Sequence, residues 1–551
     1  LAKQTDQGDR TLQPIHEDAY PEIYAGFKWS LPATFNFGRD VVDVWAKRAP
    51  DHTALIWCNT EGDQARFTYA QMARLSNQFA NVLRRQGIGK GDRVIVMLPR
   101  IPHWQIAMLG CIKLGAVPIP CIEMLTHKDI AYRVEHSGAV GVVTTVSSAP
   151  KFLDQPGLIM RLVVGELPGW VGFEGAMSQA ADGFEADDTG LEDPVILYYT
   201  SGSSGLPKGV THASRALFAW RTSSIYWHEL TQDDVIWCTA DTGWSKAGTS
   251  ILFGPWSCGT TVLFCDGRFD PAQRLDFIRR FGVTVFCAAA TEFRQLVNEP
   301  MPEGALATLR MAISAGESVN PEVLVRWESV SGVPLIEAYG QTETLMTVSN
   351  YSNSPVKPGS MGRPLPGCQM VILDEESDLC APGIRGQLAL ALPNPQLMLG
   401  YWNDPERTAM TRSTHQGQEF FLTGDMARMD EEGYIYYEGR TDDIIGSAGY
   451  RIGPTEVENA LSEHPAVLEC AVVGSPDPVR GEVVKAFVVL RVGHAPSEAL
   501  VKELQDHVKQ TTAPYKYPRE ISFVDDLPKT VTGKLLRRVL RDAERASKGQ
   551  G

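Results

Sequence analysis

The chemically richest stretch of the chain is Tyr198-Tyr-Thr-Ser-Gly-Ser-Ser-Gly-Leu-Pro-Lys-Gly-Val-Thr-His212. Gly202, Gly205 and Gly209 let a backbone approach an anion, Thr200, Ser201, Ser203 and Ser204 offer hydroxyl donors, and Lys208 adds a cation that can reach a terminal phosphate. Such a loop suits a polyphosphate. A Walker A loop needs Gly-x-x-x-x-Gly-Lys-Ser/Thr, but counting from Gly202 puts Pro207 in the second glycine's place and Gly209 after the lysine, so the P-loop NTPase pattern fails. The plain alternative is a Ser/Gly-rich surface loop.

The elements that must position this loop alternate along most of the chain. Strand-prone runs occur at Arg93 to Met97, Val140 to Val146, Val195 to Tyr199, Thr261 to Cys265, Thr284 to Cys287 and Pro334 to Glu337. Amphipathic segments such as Tyr69 to Gln86 and Pro271 to Phe281 lie between them, which predicts an α/β body of parallel-rich sheets covered by helices. The polyphosphate loop should follow a buried strand and precede a helix from Ala213. After Thr423-Gly-Asp425 the composition changes: a turn at Met429 to Tyr434, a short strand Ile435 to Tyr437, and a loop Gly446-Ser-Ala-Gly449. Helices near 455–462 and 497–510 and strands near 468–473, 483–489 and 520–524 then predict a small α+β unit. We place the division at Asp442, giving domains 1–441 and 442–551.

With 51 Lys and Arg against 66 Asp and Glu, the formal charge is −15, and 21% charged with 43% hydrophobic residues excludes a disordered acidic protein. No basic stripe reverses that field, so no nucleic-acid partner is expected. The ten cysteines never form a C-x-x-C pair, which argues against a zinc site or a disulfide framework. Apolar runs such as Val94 to Pro99 fall far short of the ~18–20 residues that span a bilayer, so no transmembrane segment is expected. The expected location is cytoplasmic, or an organelle matrix after removal of a presequence; the oligomeric state, monomer or homodimer, stays open.

Four ordered motifs together resemble the acyl-adenylate-forming superfamily of acyl-CoA synthetases, peptide-synthetase adenylation domains and firefly-type luciferases. They are Tyr199 to Gly209, Glu337-Ala-Tyr-Gly-Gln-Thr-Glu343, Thr423-Gly-Asp425 with Gly439-Arg-Thr-Asp-Asp443, and Pro528-Lys-Thr-Val-Thr-Gly-Lys534. Asp241-Thr-Gly-Trp244, Ile313 to Ser318, Ser475 to Glu482 and Ala513 to Pro518 are similar to the medium-chain acyl-CoA synthetases in particular. The resemblance implies a large N-terminal body, a mobile C-terminal domain, and ATP, Mg2+, coenzyme A and a small carboxylic acid as ligands.

It also implies roles. Thr200, Ser201, Gly202, Ser203, Ser204, Gly205 and Lys208 would face the phosphates, Glu343 would hold Mg2+, and Thr342 would donate to the α-phosphate. Gly316, Glu317, Ser318, Glu337, Ala338, Tyr339, Gly340 and Gln341 would bind the ATP or AMP, with Tyr339 stacked on adenine and Gly316 with Glu317 at the base. Asp425 would accept from the ribose, Arg440 would support ribose and phosphate, and Lys534 would bridge the attacking carboxylate and nucleotide during adenylation only. Ser447, Ala448, Gly449 and Tyr450 would line a pantetheine tunnel with Arg451 near a phosphate and Arg480 on CoA, and Asp442 would be the hinge. Standing alone, Glu343 reads as a solvated carboxylate, Tyr339 as a core aromatic and Arg480 as a surface charge.

Acetyl-CoA synthetases carry a tryptophan where this chain has Gly340, so the acyl pocket floor is expected to be open, with Trp244 as a wall and Gly243, Ala247 and Gly248 leaving room. That predicts a medium-chain, branched or aromatic acid. The alternatives are an aryl-CoA ligase, an adenylation enzyme loading a carrier protein, a nucleotide-binding regulator and a luciferase-like oxygenase.

Overall fold

Hydrophobic periodicity sets most of the local elements. The computed structural model describes residues 19–200, 206–316, 319, 321–357, 359–440, 443, 445–447, 450–478, 480–529 and 535–548. Strands occupy Arg93–Met97, Gly141–Thr145, Pro194–Thr200, Thr261–Cys265 and Val285–Cys287, where the β-branched runs predict them. The helix Tyr69–Arg85 starts at a reciprocal capping box between Thr68 and Gln71. Pro271–Phe281 is capped by the Asp270 side chain and stops at Gly282, whose φ of 64° suits glycine.

The body combines parallel and antiparallel pairing. In the largest sheet, Thr53–Cys58, Thr261–Cys265, Val235–Cys238, Val285–Cys287, Met311–Ala315 and Leu335–Gln341 run parallel. A second sheet, built on Arg93–Met97 and Gly141–Thr145, is also parallel. Beyond Leu335–Gln341 the largest sheet turns antiparallel, through Leu345–Ser349 to Gln418–Met429 and Ile435–Arg440. The link from Gln341 to Leu345 is too short for a parallel crossover, so the chain must reverse.

The polyphosphate loop also departs from the expected strand, loop and helix. Pro194–Thr200 pairs antiparallel with Lys208–Ala213, with Thr200 opposite Lys208. The helix Ser214–Ala219 therefore begins one strand later than a nucleotide-binding turn would place it. Lys208 becomes the first residue of a strand.

The smaller unit has its own sheet, of Ile445–Ser447, Tyr450–Ile452, Val467–Asp477, Gly481–Leu490 and Glu520–Phe523. Val457 and Leu461 of the helix Pro454–Ser462, with Leu504 and Val508 of Glu498–Thr511, pack against Val472 and Val484. Gly446 and Ser447, expected in a loop, lie in a strand of a tight hairpin. The last helix is Arg537–Ser547, because Leu535 instead forms an antiparallel bridge with Lys529. No described helix is long and apolar enough to cross a membrane.

Glu458 ties the last helix to this unit. Its Oε1 accepts from Val472 N at 2.8 Å and Arg537 Nε at 2.9 Å, and Oε2 accepts from Arg537 Nη2 at 2.5 Å. Glu458→Ala leaves a largely buried guanidinium without its carboxylate, so it should destabilise this unit by about 3 kcal/mol. Urea unfolding of the full chain should show an earlier transition for the smaller unit; an unchanged midpoint would contradict the assignment.

Candidate active site

Two hairpins converge on one carboxylate. The first carries Lys208 at its strand end, and the second turns through Thr342, Glu343 and Thr344 between Leu335–Gln341 and Leu345–Ser349. Lys208 Nζ donates to Glu343 Oε1 at 2.6 Å and to the Tyr401 hydroxyl at 2.8 Å, and that hydroxyl donates to Glu343 Oε1 at 2.8 Å. Glu343 is only 6% exposed. Burial opposes its charge, but the Lys208 ammonium and the hydrogen bonds from Lys208 and Tyr401 outweigh that and hold its carboxyl below the usual range. Burial and the Glu343 charge push the Tyr401 phenol well up.

At the other end of the loop, the buried Thr200 Oγ1 has no hydrogen-bond partner among the described residues. A buried hydroxyl without a partner is what a phosphate oxygen would satisfy. Ser201, Gly202, Ser203, Ser204 and Gly205 lie outside the described residues.

A second cluster forms about Asp425, in Gln418–Met429. Its Oδ2 accepts from the Tyr339 hydroxyl at 2.5 Å and from Gln341 Nε2 at 2.6 Å, and Oδ1 accepts from Arg440 Nη1 at 3.1 Å. Tyr339 and Gln341 are two residues apart on one strand and so share a face. Asp425 and Arg440 are paired across neighbouring strands. Anchoring the phenol at its tip fixes the direction of the Tyr339 side chain.

The expected adenine segment lies at adjacent strand ends. Ala315 pairs with Ala338, and Gly316 follows with φ 97°. The Glu337 carboxylate accepts from Val319 N at 2.7 Å, and burial pushes its pKa up to about 7. Glu317 and Ser318 lie outside the described residues. Thr342 Oγ1 is 3.2 Å from Ser245 Oγ, and the Thr342 carbonyl accepts from His212 Nε2 at 2.7 Å.

Gly340 has backbone in the direction a Cβ would take. It sits at a register shift, and a Cβ there would overlap the Leu345 carbonyl oxygen and come within 2.8 Å of Met346 Cα. Backbone, not empty volume, occupies that side. Likewise a Cβ at Gly248 would overlap the Tyr198 hydroxyl, and one at Gly243 would lie 2.5 Å from Ile122 N. Trp244 is half-buried and precedes the short helix Ser245–Ala247.

On the smaller unit, Ser447 pairs with both Tyr450 and Gly481, so the Ile445–Ile452 hairpin adjoins the turn carrying Arg480. Gly446 N donates to Glu482 Oε2 at 3.1 Å, and Arg480 N to Asp477 Oδ1 at 2.8 Å. The side chains of Tyr450 and Arg451, and the whole of Asp442, Ala448, Gly449 and Lys534, lie outside what the structure describes.

No three His, Cys, Asp or Glu side chains gather as a metal cage among the described residues. Glu343 alone still fits Mg2+, which is commonly held by one or two carboxylates with the remaining positions taken by water and substrate phosphate. Tyr401 and His212 were not anticipated: Tyr401 lies 193 residues from Lys208 in an unremarkable Gly-Tyr pair, and His212 read as the end of the loop.

Two family models match: AMP-binding enzyme over residues 42–402 and AMP-binding enzyme C-terminal domain over residues 456–534. The chain is 40% identical to the human mitochondrial acyl-coenzyme A synthetase ACSM3, over 97% of this chain and 94% of that protein. It is 42% identical to mouse mitochondrial acyl-coenzyme A synthetase ACSM5, over 93% of this chain and 91% of that one. Among solved structures, the anthranilate CoA ligase AuaEII in complex with anthranoyl-AMP superposes with a TM-score of 0.84 at 29% identity, covering 94% of this chain and 99% of that one.

Burial lowers the His212 pKa to about 4 from 6.5, partly offset by its bond to Thr342 and by the Glu343 charge. The unfolded chain then takes up this proton first, so stability present above pH 6.5 is lost as pH falls towards 4. His212→Gln, which keeps a donor, should flatten the loss between pH 7 and pH 5 by about 2 kcal/mol. Urea unfolding at the two pH values measures it; an unaltered pH slope would refute the assignment.

Proposed function

The chain belongs to the AMP-binding enzyme family, and from that premise we propose that it activates a medium-chain, branched or aromatic carboxylic acid through the residues placed above. It is an AMP-forming acyl-CoA synthetase that uses ATP, Mg2+ and CoA. Acid and ATP give acyl-AMP and pyrophosphate, and the CoA thiol then displaces AMP. The observation that carries the residue assignment is the 2.6 Å contact of Lys208 with Glu343, which joins a phosphate-loop cation to a hard-cation carboxylate.

Attack of the acid on the α-phosphorus places charge on the non-bridging oxygens and on departing pyrophosphate, so positioning and electrostatics supply the rate. In this reading Lys208 and the hydroxyls from Thr200 to Ser204 receive the β- and γ-phosphates, and Thr342 the α-phosphate. Glu343 would hold Mg2+, which when bound neutralises phosphate charge. Asp425 and Arg440 receive the ribose, Tyr339 stacks on adenine, and Lys534 orients the acid for adenylation. Residues 442–551 then turn about Asp442, so that the hairpin at Ser447 with Arg451 and Arg480 guides CoA. A thiol attacking a mixed anhydride needs no protein nucleophile, because AMP leaves readily. The two acyl-coenzyme A synthetases named above are mitochondrial, and a matrix location is the compartment we carry to this chain.

Because backbone fills the space beside Gly340, acid size in this reading is set by Trp244 and its surroundings rather than by that glycine. Each buried methylene should contribute about 0.8 kcal/mol, roughly fourfold in apparent affinity, until the pocket ends. ATP–pyrophosphate exchange across an acid panel should therefore favour about C4 to C10 or aryl acids over acetate; acetate as the best substrate would refute it. Lys534→Ala should slow adenylation about a hundredfold and leave CoA attack on supplied acyl-AMP within about twofold. Equal loss of both half-reactions would contradict the rotation.

A further inference from the structure

Tyr401 has no part in the roles set out above, yet its hydroxyl bonds to both charged groups of the site. It accepts from Lys208 Nζ and donates to Glu343 Oε1, each at 2.8 Å, while Lys208 donates to the same oxygen at 2.6 Å. Nothing in the reaction asks for a phenol here. In the proposed cycle, however, both charges change partner: phosphate draws Lys208 away, and a divalent cation takes the carboxylate. The phenol is the one uncharged member of the three, so it is the one that can stay.

We propose that Tyr401 is a positioning residue for adenylation, keeping Glu343 oriented for the divalent cation after phosphate has drawn Lys208 away. This rests on the reading of Lys208 as a phosphate ligand and Glu343 as a cation ligand. Its backbone makes Tyr401 suited to that task. Leu399 N donates to Thr211 O at 2.8 Å and Trp402 N to Gly209 O at 2.7 Å, which pins the segment to the strand that carries Lys208. Met398 N donates to Glu343 O at 2.8 Å, which pins the same segment to the turn that carries the carboxylate. Tyr401 N donates to Thr408 Oγ1 at 2.9 Å, and the residue is 8% exposed. The hydroxyl is thus referenced to both hairpins at once and holds its place while the two charges change partner. Lys208 Nζ lies 4.5 Å from the ring centroid, on the hydroxyl side of the ring.

The consequence is specific to the cation. With the hydroxyl gone, phosphate still meets Lys208, but Glu343 has lost the donor that orients it. Titration calorimetry on the full chain, with ATP plus Mg2+ and with ATP plus EDTA, gives the ratio of the two dissociation constants. Tyr401→Phe keeps the ring and should shrink the Mg2+ advantage about tenfold, with ATP–EDTA affinity changed less than about twofold. A ratio unchanged from wild type, whether both affinities hold or both weaken equally as from a merely structural role, would overturn the proposal. Glu343→Gln separates the two layers. If it leaves the ratio intact, the cation reading fails and Tyr401 has nothing to orient; if it collapses the ratio and Tyr401→Phe does not, the tyrosine proposal alone falls. Should Tyr401→Phe fail to fold, as thermal unfolding would reveal, 3-fluorotyrosine placed at 401 provides the second measurement. Its 19F resonance should move on addition of ATP with Mg2+, and an unmoved resonance would overturn the proposal.

Discussion

An ion pair between the partly buried Lys208 and the buried Glu343 is the contact around which the nucleotide half of this molecule is arranged. Its partners are 135 residues apart in sequence, and removing two charges from water costs several kcal/mol per ion before they attract one another. Such a pair is tolerated only where geometry is tight and remaining hydrogen-bond capacity is used. The molecule meets that condition with the Tyr401 hydroxyl bonded to both charges, and with a short stretch of backbone, Met398 to Trp402, bonded to both hairpins. His212 adds a third tie, from the lysine's own strand to the Thr342 carbonyl. The pair is therefore held from both backbones as well as by its own attraction.

The mixed sheet explains how the second cluster reaches the first. Parallel strands place their carboxyl ends on one edge, which is where ligands enter open α/β sheets, and Ala315 and Gly316 lie there. Continued parallel order would have sent the chain away after Gln341. The hairpin instead folds Leu345–Ser349 back, and the antiparallel strands beyond it bring Asp425 and Arg440 against Tyr339 and Gln341. The register shift at Gly340 is the local device: with no side chain, its backbone packs directly on Leu345 and Met346.

What was legible in the amino-acid sequence, and what was not, follows from the range of each interaction. Runs such as Arg93–Met97 and Thr261–Cys265, and caps such as Thr68 with Gln71, are written in a few consecutive residues. Strand direction is not, because a period of two is the same for parallel and antiparallel neighbours; hence the antiparallel half of the sheet was unforeseen, as was the strand after the phosphate loop. Gly340 is a different case: a missing side chain reads as empty space in a sequence, whereas in the fold it also marks a close approach to the Leu345 and Met346 backbone. Gly446 and Ser447 read as a loop from composition, but pairing with Arg451, Tyr450 and Gly481 makes them a strand. Tyr401 had no signal, because its meaning depends on two partners brought to it only by the fold.

The net charge of −15 takes on a sharper meaning against these contacts. An acidic protein that binds anionic nucleotides would be expected to keep bare cations in the site, yet Lys208 is paired with Glu343 and Arg440 with Asp425. The basic final helix is likewise matched, Arg537 to Glu458, Arg541 to Asp443 and Arg545 to Glu482. On the proposed roles, phosphate binding is then an exchange of partners rather than the filling of a bare positive site. Taking Lys208 away from Glu343 alone would strand a buried carboxylate, at a penalty comparable to breaking any buried pair. A divalent cation arriving with the phosphates cancels that penalty, because it supplies Glu343 with a new counter-charge in the same step. Prior neutralisation thus makes the site discriminate for nucleotide and cation together over either one alone, and it lets a strongly acidic chain hold a strongly acidic ligand.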